Sequence, residues 1–68
     1  MEVKLAEIRV RLIDIRSDVK KAIEQFFRYY AEAEDLDKLG RLARAYYEFE
    51  ETLEKLIEAS KNLAEVIE

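Results

Sequence analysis

The densest concentration of potential chemistry in this chain is a run of carboxylates: Glu48, Glu50, Glu51, Glu54 and Glu58. The Glu48/Glu51 and Glu51/Glu54 pairs are three apart, a spacing that puts two acids on one helical face, where carboxylate-bridged metal sites place theirs. Such sites draw acids inward from several helices and add histidine. The chain has no histidine, and none of these acids falls in an apolar row, so they read as a solvated face with no metal. Ser17, Thr52 and Ser60 supply the aliphatic hydroxyls, and without a histidine base none is set up as a nucleophile. A single glycine excludes a phosphate-cradling loop. Arg9, Arg11, Arg16, Lys20, Lys21 and Arg28 can reach phosphates, but Asp14, Asp18 and Glu24 interleave with them and the net charge is −4, the wrong balance for a nucleic-acid binder. The sequence therefore assigns no catalytic, cofactor-binding or metal-ligating residue.

These side chains have to be positioned by two near-equal apolar blocks. The first row is Leu5, Ile8, Leu12, Ile15, Val19, Ala22, Phe26, Tyr29, Ala33; the second is Leu39, Leu42, Tyr46, Phe49, Leu53, Leu56, Ser60, Leu63, Ile67. Both follow the seven-residue repeat of a helix packed along one seam, as in a coiled coil. The spacing predicts one all-α domain over residues 1–68. A helix over about 2–33, a turn at about 34–37 and a helix over about 38–67 form an antiparallel hairpin, each arm about 48 Å long. Ile8-Arg9-Val10-Arg11-Leu12 alternates like a strand, but the alternation changes phase on both sides and no second strand is available. Ser17 can cap a new helix at Asp18, which would give a three-helix bundle instead.

At the joint, Asp35 or Asp37 suits the first free N–H groups of the second helix. Leu39-Gly40 offers a competing helix end; no capping side chain follows it, which favours the earlier turn. Leu36, Leu39-Gly40 and Ala43, with Ala59 further on, resemble the opening of a tetratricopeptide repeat over about 30 residues. The small residue that family has at its inter-helix turn would fall near Tyr47, and no second copy follows. Residues 2–34 carry seven basic and seven acidic side chains, and residues 35–68 carry five and nine. A reversal at Asp35 would set Arg16 beside Glu54, Lys20 beside Glu50, Arg11 near Glu58 and Lys4 near Glu65, with opposite signs aligned.

Ala6, Val10, Ile13, Ile23, Phe27 and Tyr30 lie beside the main row of the first block, more apolar surface than one partner helix covers. The expectation is self-association into a four-helix or larger bundle, a homodimer first, through Val10, Ile13, Ile23, Phe27, Tyr30 and Tyr47. The alternative is a protein-binding module. It would use either the first helix's apolar strip or the half of the hairpin near the turn, where all seven aromatic residues fall between Phe26 and Phe49. Half the residues are apolar and 41% charged, with no Pro, His, Cys or Trp, a binary composition typical of thermophile surfaces and of designed helical bundles. No disulfide or zinc site can support so small a core. There is no membrane-length apolar run, and Met1-Glu2-Val3-Lys4 does not open a secretory signal, so a soluble, cytoplasmic protein is expected.

Overall fold

In a computed structural model that describes residues 4–67, the chain forms two helices, α1 (Leu5–Glu32) and α2 (Leu36–Ile67), packed against each other as a hairpin. No strand occurs among the described residues. Ile8–Leu12 is helical, and Ser17 lies inside α1 without interrupting it. The expected helix start near residue 2 falls outside the described residues. The molecule is a rod of 50 × 18 × 12 Å with a radius of gyration of 15.8 Å, against roughly 11 Å for a globular chain of this length.

The turn is a compact joint. Ala33 is the C-cap of α1, and Glu34 follows in the left-handed region at φ 58°. The Asp35 N–H donates to the Tyr30 carbonyl at 3.0 Å and the Glu34 N–H to the Ala31 carbonyl at 3.1 Å, the paired bonds of a Schellman motif, with Glu where Gly is usual. Asp35 then caps α2: its Oδ1 accepts from the Lys38 N–H at 3.1 Å, and its carbonyl accepts from the Leu39 N–H at 3.0 Å. One residue thus ends one helix and starts the next. Gly40 sits within α2, and a Cβ added there would meet nothing within 4 Å. No close packing explains the glycine, which costs about 1 kcal/mol relative to alanine at such a position.

The seam departs from the seven-residue rows. On α1 the half-buried row runs Leu5, Ile8, Leu12, Arg16, Val19, Ile23, Phe27, Tyr30, spaced 3,4,4 and repeating every eleven, with Arg9 half-buried beside it. On α2 the row passes through Leu39, Leu42, Tyr46, Glu50, Leu53 and Ile57 to Ala64, with Phe49 and Ser60 beside it. Ile15, Ala22, Phe26 and Tyr29, expected in the seam, are exposed, as are Leu56, Leu63 and Ile67. The cause is helical pitch. A seven-residue repeat stays in register only on supercoiled helices, whereas a straight helix drifts ~20° per heptad. Four heptads accumulate roughly 80°, nearly the 100° between neighbouring side chains. By the turn, contact has passed from Phe26 and Tyr29 to Phe27 and Tyr30.

Between the arms there is little interior. Leu53, 6% exposed, is the one buried apolar residue among those described, and no described side chain is completely enclosed. Ser60 is buried too, and its Oγ has no hydrogen-bond partner.

Candidate functional surface

Two broad faces flank the seam, and they differ in chemistry. On one, Ile13, Arg16, Ser17 and Lys20 of α1 line a shallow groove with Tyr46 and Glu50 of α2. Ile13, Ser17 and Lys20 lie on one rotational side of the α1 row, and Arg16, Tyr46 and Glu50, members of the two rows, border the groove on that same side. In an antiparallel pair the opposite sides must therefore share the other face. There α1 presents Ile15, Ala22, Phe26 and Tyr29, and α2 presents Ala45, Thr52, Leu56 and Leu63, all exposed. The rows Ile15–Tyr29 and Ala45–Leu63 carry no charge, and Lys38, one heptad before Ala45, lies on the same side at the turn end.

The expected interface residues do not form one patch. Ile23, Phe27 and Tyr30 are half-buried in the intramolecular seam, whereas Val10, Ile13 and Tyr47 are exposed. Ile13 lines the charged groove. Sequence reasoning missed Ile15, Phe26, Tyr29, Leu56 and Leu63 as surface residues because it placed them in the seam. The signal that finds them is the drift of the seven-residue repeat against the straight helix.

The turn end holds the rings. Phe26 and Tyr30 stack with centroids 6.3 Å apart, Tyr29 meets Tyr30 edge-on at 5.5 Å, and Tyr46 stacks with Phe49 at 6.5 Å. Each of these pairs lies within one helix. Lys38 Nζ, 5.4 Å from the Tyr30 ring centroid, adds a cation–π contact across the turn. Phe26 and Tyr29 remain 52% and 65% exposed despite their ring contacts.

No protein-family model, curated protein or solved structure matches the chain. Its functional reading therefore rests on surface chemistry alone.

Cross-helix charge pairing is looser than the sequence suggested. The one ion pair among the described residues is Asp37–Arg41 at 3.2 Å, within a single turn of α2 and well exposed, a geometry worth a few tenths of a kcal/mol. Arg16 and Lys20 reach the groove that Glu50 lines but make no contact within 4.0 Å of a described acid. Glu50 instead accepts from the Tyr46 hydroxyl at 2.8 Å. Burial pushes the Tyr46 hydroxyl above its ordinary pKa of 10.0; the bond to Glu50 and the charges of Glu50 and Glu24 push the same way, and Arg16 opposes them.

The E-x-x-E acids stay apart from any inward site. Glu48, Glu51, Glu54 and Glu58 are exposed; Glu51 accepts a long 3.4 Å bond from Tyr47, and Glu51, Glu54 and Glu58 line a shallow surface depression with Lys55. Among the described residues no group of three or more His, Cys, Asp or Glu is arranged to hold a metal ion. Nor is any described helix long and apolar enough to cross a membrane.

Proposed function

We propose that this chain is a structural self-assembly module without catalytic chemistry, a hairpin that completes its core by packing against another copy of itself. The observation that carries this reading is the poverty of its interior. Among the described residues one apolar side chain is buried between the arms, and eleven large hydrophobic residues are exposed. Taking a side chain of this type from full exposure to full burial is worth about 1.5–3 kcal/mol, and completing the burial of these part-exposed ones adds a fraction of that for each. A lone chain leaves most of that stabilisation unused, and small domains without staples commonly recover it through oligomerisation. A four-helix bundle of two hairpins is the simplest closed arrangement.

Light scattering or sedimentation equilibrium at micromolar concentration tests this directly. The expected mass is at least twice 8.1 kDa, with a helical circular-dichroism spectrum. A monodisperse helical monomer overturns the reading. A second reading, in which the chain docks a different protein, draws on the exposure of Phe26, Tyr29 and Tyr47 in the aromatic half. The helical monomer that refutes self-assembly is the state this second reading requires.

A further inference from the structure

We infer that the second copy packs on the uncharged face carrying Phe26 and Leu56, and not on the grooved face that Ile13 lines. This inference rests on the self-assembly reading and adds to it the identity of the contact surface. Its first support is periodicity. On α2, Ala45, Phe49, Thr52, Leu56, Ala59 and Leu63 follow 4,3,4,3,4 spacing without a charge. On α1, Ile15, Val19, Ala22, Phe26 and Tyr29 follow the same rhythm. These are rows of the kind that seat another helix. The intramolecular seam drifts away from both, leaving one row from each helix on the same side of the rod. Small residues, Ala22 on one arm and Ala45 and Ala59 on the other, separate the large ones, the alternation that lets facing layers interdigitate.

The second support is area. The chain exposes 5,795 Å², where a folded monomer of its mass exposes roughly 4,500 Å². The excess is about 1,300 Å² per chain, and twice that lies within the range of about 2,000–5,000 Å² buried by obligate homodimers. A broad face of the rod measures 50 × 18 Å, a projection of roughly 900 Å², enough for the ~800 Å² that each partner gives a standard interface.

Charge supplies the third. The margins of the uncharged face carry both signs, Arg11 and Asp18 outside the α1 row and Glu48 and Lys55 outside the α2 row, so two copies can approach without a single-sign repulsion. The opposite face would bring Arg16, Lys20 and Glu50 under a partner, and buried charges weaken an interface unless fully paired. A self-complementary contact of this kind is isologous and closes on itself as a dimer.

The chain has no native cysteine, so single-cysteine variants report each face. Leu56→Cys and Ile15→Cys probe the uncharged face, and Ile13→Cys, at a residue that lines the groove, probes the other. Mass and helicity are measured for each variant, then the rate of modification by a thiol reagent at micromolar concentration. The expected result is labelling at least ~10-fold slower for L56C and I15C than for I13C, since thiol reactivity follows access, with the difference vanishing on dilution to monomer. Loss of dimer in L56C with dimer kept in I13C supports the same face. A dimeric parent with I13C protected and L56C open, or with both labelled alike, overturns the choice of face while self-assembly stands. A parent that stays monomeric overturns self-assembly itself.

Discussion

At the turn, two backbone hydrogen bonds close α1, Asp35 caps α2 through its side chain and its carbonyl, and the chain reverses within three residues. Along the seam, two helices of 28 and 32 residues enclose one buried apolar side chain and one buried hydroxyl with no partner. The turn is therefore locally complete and the seam is not. A short closure costs little loop entropy, and its hydrogen bonds form between neighbours in sequence. Cohesion along the arms must instead offset the ordering of more than sixty residues, roughly 1–2 kcal/mol for each backbone unit. Direction is encoded near Asp35; holding the arms together is left to apolar area, most of which the single copy does not bury.

The largest expected effect breaks the seam at its densest point. Leu53→Ala removes the one apolar side chain buried among the described residues and should cost about 2–5 kcal/mol, comparable to the ~3–5 kcal/mol that a core of this size supplies. Urea denaturation followed by helical ellipticity, at fixed protein concentration, should show the cooperative transition nearly lost. If L53A shifts the midpoint less than a cap variant does, cohesion resides at the turn and the contrast between the two regions fails.

Next come variants of the turn, which should move in opposite directions. Asp35→Ala removes the cap on the Lys38 N–H and should cost about 1 kcal/mol. Glu34→Gly relieves a left-handed conformation that penalises a side chain by roughly 1–2 kcal/mol; after the added freedom of the unfolded chain is deducted, a gain of about 0.5–1 kcal/mol remains. Each kcal/mol moves the melting temperature of so small a domain by about 4–8 °C. Glu34→Ala keeps the Cβ and should not gain. An E34A variant as stable as E34G would assign the effect to lost charge instead of backbone strain.

The contrast also explains what could be read from residues alone. The helices were legible because apolar spacing is a local property, and the turn because Asp35 is an N-cap residue at the break between the rows. Asp37, the other candidate cap, lies in the first turn of α2 and pairs with Arg41. The identity of the seam was legible only in its first half. Leu5, Ile8 and Leu12 lie in both the seven- and eleven-residue rows, but at Ile15 the two diverge, and choosing between them requires knowing whether the helices supercoil. A seven-residue row therefore leaves Ile23, Phe27 and Tyr30 outside the seam that they help to form. Aligned charges mark the register only loosely: Lys20 and Glu50, expected side by side, line one groove, but Arg16, expected beside Glu54, lines it too. Long side chains make coarse register markers.

A smaller effect concerns Ser60. Its buried Oγ forgoes hydration without gaining a protein partner, a loss that Ser60→Ala removes while also favouring the helix. The expected gain is about 0.5–1 kcal/mol in the same urea measurement. A destabilised S60A would mean that the hydroxyl finds a partner in solution, and the seam would be better satisfied there than in the isolated hairpin.

The smallest effect is in alkali, at the polar margin of the seam. Because the folded state holds the Tyr46 proton more tightly than the unfolded chain does, Tyr46 contributes stability that is fully present below pH 10. That contribution is lost as pH rises through the higher folded-state value, since the unfolded chain releases its proton first. The difference in denaturation midpoint between the parent and Tyr46→Phe should therefore be level up to about pH 10 and then shrink. Glu50→Gln, which retains an acceptor for the hydroxyl but removes the charge, should soften the decline without abolishing it, because burial is the leading cause of the shift. A difference that stays level through this range would show the Tyr46 hydroxyl as well solvated as in the unfolded chain. Water would then reach between the arms even beside the aromatic end, and the seam would be more open than its half-buried row implies.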